Sequence, residues 1–265
     1  MSLKFTILGC GSSGGVPRPA LGWGACDPTN PKNRRRRTSL LVERRNGAGG
    51  ITRVLVDTSP DLREQMLDAE ADTLNGVLYT HEHADHTHGI DDLRAYFIKQ
   101  HALVDVYVDE ATSKSLHGRF DYCFKSPPGS EYPPIVAEHR LTAGKAITID
   151  GEGGSITALP FLQEHGDIAS IGFRFGALAY SCDLSGMPEE SAKALAGVEI
   201  WILDALRYRP HPSHLSVDQA LAWVERIKPR RAILTNLHSD IDYNDLQKRL
   251  PANIEPAYDG MTVVA

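Results

Sequence analysis

Paired cysteines are missing from this chain. Its four cysteines are scattered and none forms a Cys-x-x-Cys pair; they are Cys10, Cys26, Cys123 and Cys182. This pattern opposes a disulfide framework and is typical of reduced thiols. We therefore expect a cytoplasmic protein.

Excess positive charge and long hydrophobic runs are also missing. The chain has 28 Lys and Arg residues against 34 Asp and Glu residues, a formal net charge of -6. That balance opposes a generally basic surface for nucleic acid. No apolar stretch is long enough to span a bilayer, and glycines interrupt the N-terminal apolar run, so we expect neither a signal peptide nor a membrane partner.

The composition that remains is that of a globular protein. Hydrophobic residues make up 42% and charged residues 23% of the 265 residues, which fits one domain over residues 1–265. Strand and helix patterns alternate without a linker. The predicted strands are 3–8, 38–42, 54–57, 76–79, 104–108, one near 147, 156–162, 171–175, 178–181, 198–203 and 231–235. The predicted helices are 60–69, 90–100, 110–116, 188–196, 217–227 and 242–249.

The most informative segment is a histidine-rich box that follows the apolar run 76–79. It has the spacing His-x-His-x-Asp-His and consists of His81, His83, Asp85 and His86. A strand that ends in a tight turn can direct such side chains to one point, and imidazole with carboxylate suits zinc, iron or manganese. The alternative is a histidine-rich solvated loop. The spacing favours a metal site.

Further donors follow later strands. His165, Asp183 and His238 each stand just after a predicted strand. Taken singly, each is more often a turn or surface residue. Together with the box they supply the donors for two divalent metal ions, zinc or manganese.

Two other motifs are ambiguous. Residues 9–14 match Gly-x-Gly-x-x-Gly, but Pro17 and Pro19 oppose the helix that a dinucleotide site needs there. The better interpretation is a glycine loop close to the metal site. The basic run 34–37 is either a solvated loop or a phosphate contact, for which Arg37 is the candidate.

Residues 120–134 combine aromatic side chains with prolines and predict a structured excursion rather than a helix. One interpretation is a satellite core or a contact in a homodimer. The other is that Tyr122 or Phe124 covers the metal site and stacks on a base or sugar.

The motifs resemble those of the metallo-β-lactamase superfamily of metal-dependent hydrolases, along the whole chain. Within it the chain is most similar to the PhnP-like cyclic phosphodiesterases. Besides the box, that similarity is carried by the segments 15–17, 89–94, 183–188 and 211–216.

The resemblance implies an α+β fold, the four-layer αββα sandwich, with the site at one edge. It implies that His81, His83 and His165 hold one metal. Asp85, His86 and a last histidine would hold the other, with Asp183 bridging the two. It also implies that Asp57 orients a ligand histidine, and that His214 is a general acid; His214 and Asp85 are the predicted catalytic residues.

Two departures from the family pattern stand out. Asn236 occupies the place of the usual last ligand, and a histidine, His238, follows two residues later. Side chains two apart on a strand share a face, so His238 is predicted to reach the same metal. The loop cysteines of a structural zinc site are reduced to Cys26, and Ser239 replaces its histidine, so this second zinc site is expected to be absent.

The expected function is a dinuclear metal-dependent phosphodiesterase acting on a small cyclic or nucleotide-like phosphate. The alternatives are a ribonuclease of the tRNA 3′-processing type and a non-catalytic nucleotide-binding protein. The ribonuclease would need a basic RNA-binding arm, which the sequence does not show. The box alone does not choose a substrate, because lactam, thioester and sulfur chemistry use the same ligands.

Overall fold

The computed structural model describes residues 2–265, and its architecture is two seven-stranded sheets packed face to face. The strands are β1 (Leu3–Gly9), β2 (Ser39–Arg45), β3 (Ile51–Val56), β4 (Gly76–Leu78), β5 (Val104–Val108), β6 (Val136–Arg140), β7 (Ile147–Ile149), β8 (Ile156–His165), β9 (Ile168–Phe175), β10 (Leu178–Ser181), β11 (Ile200–Asp204), β12 (Arg231–Thr235), β13 (Ile254–Pro256) and β14 (Met261–Val264).

The order of the strands divides the chain between the sheets. One sheet has the order β14-β1-β2-β3-β4-β5-β6 and the other the order β13-β12-β11-β10-β9-β8-β7. The C-terminal strand β14 returns to pair antiparallel with β1. Strands β3 to β6 are parallel to one another, as are β10 to β13.

Helices cover the outer faces. They are α1 (Leu62–Asp68), α2 (Ala84–Thr87), α3 (Arg94–Gln100), α4 (Glu110–Phe124), α5 (Glu189–Ala194), α6 (Val217–Ile227) and α7 (Tyr243–Arg249). A capping box at Ser216 and Gln219 starts α6, because each side chain satisfies a backbone N–H at the helix start. No helix among residues 2–265 is long and apolar enough to cross a membrane.

Side-chain alternation along the strands explains the layers. Leu40 and Val42 point to the core between the sheets, whereas Leu41 packs under the helices outside. In the other sheet Ile202 faces the inner core and Trp201 the helical side. Three buried cores result, and the predicted αββα sandwich is confirmed.

Most predicted elements are present, with differences at their ends. The helix predicted over 110–116 continues to Phe124, with a kink at Phe120, so the first residues of the predicted excursion are helical. The helix predicted over 90–100 begins as a 3-10 turn, Ile90–Leu93. Strands β6, β13 and β14 were not predicted. No helix begins in the Gly-x-Gly-x-x-Gly segment, which agrees with its interpretation as a loop.

Candidate metal centre

The carboxyl ends of strands from both sheets meet at one edge of the sandwich. Asp57 follows β3 and Asp183 lies two residues after β10, while Asn236 follows β12. All three adopt a left-handed backbone, with φ of 64°, 53° and 61° respectively. This conformation is uncommon outside glycine and clusters at functional sites. The turns therefore direct these three side chains away from their strands.

One group of donors surrounds the Asp183 carboxylate. It consists of His81, His83, His165 and Asp183, whose donor atoms all lie within 4.8 Å of one another. His81 Nε2 and His165 Nε2 are each 3.8 Å from Asp183 Oδ2. His165 Nε2 is 3.2 Å from His83 Nδ1. The structure thus brings together the residues of the first predicted ligand set.

A second group shares the same aspartate. His86 Nε2 lies 3.3 Å from Asp183 Oδ2 and 3.3 Å from Asp85 Oδ2. Cys182 belongs to this group by distance, and its Sγ donates to Asp183 Oδ1 over 2.8 Å. Burial and the neighbouring Asp183 raise the pKa of the Cys182 thiol well above its ordinary value, so it is not a ready thiolate.

The chemistry of these donors fits a divalent cation. His81 Nε2 and His86 Nε2 are buried and lack a hydrogen-bond partner, which is costly unless another group occupies that direction. Burial and the positive charge of His86 hold the pKa of His81 well below its usual value, so its imidazole is neutral as a ligand must be. Burial alone would lower the pKa of His86, but Asp183 and Asp85 raise it well above its usual value. The pocket therefore demands positive charge.

Hydrogen bonds on the other ring nitrogen orient the histidines. His86 Nδ1 donates to Asp57 Oδ2 over 2.7 Å, and Thr80 donates to the same oxygen over 2.8 Å. His81 Nδ1 is 2.9 Å from Thr80 Oγ1, and His165 Nδ1 donates to the Ser213 carbonyl over 2.6 Å. In each of the three rings Nε2 is left facing the donor groups, as in metal sites where a hydrogen bond on the other ring nitrogen orients the ligand histidine.

His214 lies beside the donors without joining them. Its Nε2 is 3.9 Å from Asp183 Oδ2, and its Nδ1 is 2.9 Å from Asp204 Oδ2. Burial alone would lower the pKa of His214, but Asp204 raises it to about 9. Burial raises the pKa of Asp204 to about 6.

Asp204 is a functional residue that the sequence analysis missed. It ends the apolar strand β11, just as Asp57 and Asp183 follow apolar strands, and that shared position was the available signal. Its side chain is fully buried, and Oδ2 also accepts from the backbone N–H of Leu184 over 3.1 Å. Asp204 therefore links His214 to the turn that carries Asp183.

The structure separates His238 from both donor groups. His238 Nε2 accepts from Arg18 Nη1 over 2.7 Å, and its Nδ1 lies 3.3 Å from Asp240 Oδ2. Asn236 instead enters the site, where Nδ2 donates to Asp183 Oδ1 over 3.0 Å. Asn236 and His238 do not share a face as strand residues would, because β12 ends at Thr235 and Asn236 has a left-handed backbone. The geometry thus favours Asn236 over the predicted His238.

The predicted substrate residues lie elsewhere. Arg37 pairs with Asp61, with Nε 3.1 Å from Oδ2. Phe124 packs on the His117 ring at a centroid distance of 4.2 Å. Tyr122 lines a separate groove beside α3. None of the three lines the cavity at the metal centre, because the helical course of α4 carries both aromatic rings toward other neighbours.

The cavity above the donors has a volume of about 350 Å³. Its floor is formed by His83, Asp85, His165, Asp183 and His214, and its walls contain Ser12, Ser13, Arg18, Leu206, Arg207, His211, Ser213 and His238. Burial and the positive charge of His214 lower the pKa of His211. The cavity thus has two carboxylates, those of Asp85 and Asp183, on its floor and two guanidinium groups, those of Arg18 and Arg207, in its walls.

Comparisons with known proteins agree with this geometry. Residues 52–236 match the family model described as the beta-lactamase superfamily domain. The crystal structure of a diphosphatase from the PhnP family is 33% identical with a TM-score of 0.89, covering 100% of this chain and 98% of that one. Human tRNase Z, short form (ELAC1), is 16% identical with a TM-score of 0.63 over 98% of both chains, a likeness of fold alone.

One curated relative is longer than this chain. It is a Porphyromonas gingivalis protein named octanoyltransferase, which is 31% identical over 267 residues. The match covers 99% of this chain and 51% of that protein, so this chain spans about half of the relative's length.

Fold and donor set together define a metal-dependent hydrolase of the metallo-β-lactamase superfamily. Within the superfamily, the chain belongs to the PhnP family.

Proposed function

We propose that this chain is a phosphodiesterase that uses two divalent metal ions, zinc or manganese, and acts on a small cyclic or nucleotide-like phosphate. The single observation that carries the proposal is the position of His214. Its Nε2 points toward the shared carboxylate of Asp183 from 3.9 Å, while Asp204 holds its Nδ1. A histidine anchored in this way is suited to proton transfer at a group bound over the donors.

Different residues would bind the two metal ions and transfer the proton. His81, His83 and His165 would hold one ion, and Asp85 and His86 the other; Asp183 belongs to both groups, and Asn236 contacts Asp183. When bound, such cations stabilise negative charge on phosphate oxygens and activate water. His214 would give a proton to the departing oxygen.

The relatives support a less specific activity than the one proposed. The 33% identical member of the PhnP family is a diphosphatase, so a phosphoanhydride is a second bond type for the same site. Ribonuclease activity rests on fold likeness alone, since tRNase Z is 16% identical. Octanoyl transfer is not carried over, because this chain spans about half of the protein that bears that name.

A substrate panel tests the proposal. The metal-loaded protein is assayed on a phosphodiester, a phosphomonoester, a thioester and a lactam, each with a chromogenic readout. We expect the phosphodiester to be hydrolysed most efficiently, and a chelator to abolish that hydrolysis. Turnover confined to the thioester or the lactam would overturn the proposal.

A further inference from the structure

One arginine of the basic run is buried and has no carboxylate partner. Arg35 is 2% exposed, and its guanidinium donates to neutral acceptors. Nη1 donates to the carbonyl of His238 over 3.3 Å, and Nη2 donates to Asn33 Oδ1 over 3.1 Å. Nη1 also lies 3.8 Å from Cys26 Sγ. A cation buried without a counter-ion is costly unless hydrogen bonds compensate it, so Arg35 depends on these three neighbours.

The backbone of Arg35 holds a further segment, the glycine loop. Its N–H donates to the Val16 carbonyl and its carbonyl accepts from the Val16 N–H, both over 2.8 Å. A Cβ at Gly11 would lie 2.9 Å from Arg35 Cβ, so the loop can approach this closely only with glycine there. Arg35 therefore joins the glycine loop, the loop 23–33 and the segment that follows β12.

The donors beside Arg35 do not fit a zinc ion. The family resemblance implies a structural zinc bound by loop cysteines and a histidine, of which this chain retains Cys26, with Ser239 in place of the histidine. Cys26 Sγ donates to the Ile241 carbonyl over 3.2 Å and lies 3.5 Å from that of Ser239. Burial raises the pKa of this thiol, although Arg35 opposes the shift. A closed zinc site needs four ligands and a thiolate, and one thiol beside a guanidinium does not supply them.

The segment that Arg35 holds leads directly to the metal centre. The carbonyl that accepts from Arg35 belongs to His238, two residues after Asn236. Asn236 Nδ2 in turn donates to Asp183 Oδ1 over 3.0 Å. Asn236 has a left-handed backbone, which persists outside glycine only where the surrounding structure holds it. A shift of His238 would therefore move the Asn236 side chain away from Asp183.

We propose that the Arg35 guanidinium provides the cross-link that a structural zinc ion would otherwise provide, and thereby positions Asn236 at the metal centre. Arg35 donates to none of the proposed metal ligands and does not line the cavity. It is a positioning residue, and its removal weakens metal binding at a distance. This inference rests on the binding of metal ions that the proposed function requires.

A cobalt(II) titration tests whether Cys26 holds a metal ion. Metal-free wild-type protein and the Cys26→Ser variant are compared by elemental analysis and by absorption spectroscopy. The same number of bound ions in both proteins supports the cross-link by Arg35. An additional ion in the wild type that Cys26→Ser removes, together with its thiolate-to-cobalt charge-transfer absorption, would overturn the inference.

Metal affinity tests the positioning role. Arg35→Ala should lower the affinity by about 10–100-fold, the loss typical of residues that orient a metal site from outside its ligands. Arg34→Ala removes the exposed neighbour in the same basic run and should bind as wild type does. Competition with a chromogenic chelator measures both variants once circular dichroism shows that they are folded. Wild-type affinity in folded Arg35→Ala, even with a lower urea midpoint, would leave Arg35 a structural role alone and overturn the inference.

Arg35→Lys covers the case in which Arg35→Ala does not fold. Lysine keeps the buried charge and most of the volume, but it lacks the planar fork that reaches both Asn33 and His238. We therefore expect a folded variant with weakened metal binding, and wild-type affinity would contradict the proposal. In the Asn236→Ala background, Arg35→Lys should cause no further loss, because both changes act on one contact. Fully additive losses would show that Arg35 does not act through Asn236.

These measurements separate this inference from the proposed activity. Each of them records metal binding and does not depend on the substrate. Failure to hydrolyse any phosphodiester would overturn the proposed function, whereas the role of Arg35 would still be decided by the affinities of Arg35→Ala and Arg35→Lys. A wild-type protein that binds no metal would overturn both.

Discussion

His86 Nδ1 donates to Asp57 Oδ2 over 2.7 Å in a site where both side chains are fully buried. The bond fixes the orientation of the His86 ring, so that Nε2 is the ring nitrogen that faces Asp85 and Asp183. Asp57 is also held by the backbone and side chain of Thr80, at 2.8 Å each. The histidine box thus depends on an aspartate more than twenty residues earlier in the chain.

Asp57→Asn should weaken metal binding. The amide keeps the shape but loses the charge that holds His86, and loss of such partners costs about 10–100-fold in metal affinity. Competition with a chromogenic chelator measures the affinity. Asp68→Asn, at an exposed ion pair with Arg36, is the control and should bind as wild type does. Equal affinity for Asp57→Asn and the wild type would contradict the orienting role.

Asn236→Ala and His238→Ala should have opposite effects on metal content. Asn236 contacts Asp183 at the donor cluster, whereas His238 contacts Arg18 and Asp240. We therefore expect Asn236→Ala to lose part of the bound metal and His238→Ala to retain it. Elemental analysis after gel filtration gives the stoichiometry. Metal loss confined to His238→Ala would restore the ligand assignment that the sequence predicts.

His214→Ala should keep its metal and lose turnover in a way that depends on the leaving group. For a poorly leaving alkoxide we expect a fall of about 10²–10⁴-fold, because general acid catalysis contributes that much. For nitrophenolate, which departs without a proton, the fall should be much smaller. Steady-state kcat on both substrates measures the difference, and equal losses would remove the general-acid role.

Asn33→Ala should destabilise the loop that packs on α7. Asn33 is fully buried; Nδ2 donates to Asp242 Oδ2 over 2.6 Å, and Oδ1 accepts from Arg35 over 3.1 Å. Leaving these buried partners unpaired costs about 1–3 kcal/mol. Urea unfolding measures the loss. Asn244→Ala, at an exposed position of α7, serves as the control; a similar midpoint for both variants would argue against the network.

Glu43 should contribute to the loss of folding stability at acid pH. Burial alone would raise its pKa, but Lys4 and Arg53 lower it below the ordinary value. Because the folded pKa is the lower one, the stabilisation is present above the ordinary value of about 4.3 and is lost as pH falls through the folded value. Glu43→Gln should therefore unfold with a weaker pH dependence below about pH 5 than wild type does. An unchanged slope in acid titrations monitored by circular dichroism would oppose this.

Local sequence patterns were sufficient to predict the central strands and two of the donor residues. Alternation predicted the central strands, and strand ends predicted the donors His165 and Asp183. Strands β13 and β14 are short and obtain their partners from distant chain, β12 and β1, so no local signal marks them. The predicted helix 110–116 is shorter than α4, because the aromatic residues and prolines that follow it do not indicate a continuing helix.

The last ligand position could not be predicted in the same way. The choice between Asn236 and His238 depends on where β12 ends and on the backbone conformation that follows, with φ of 61° at Asn236. Asp204 was equally hard to predict, because its role depends on its contact with His214, which lies outside strand β11.

A metal titration tests the central claim most directly. Protein stripped by a chelator is titrated with zinc or manganese while hydrolysis of bis(4-nitrophenyl) phosphate is followed. The account predicts no activity without metal and a rise in activity that saturates at about two equivalents of metal per chain. Absence of hydrolysis from protein shown by elemental analysis to be fully loaded would contradict it.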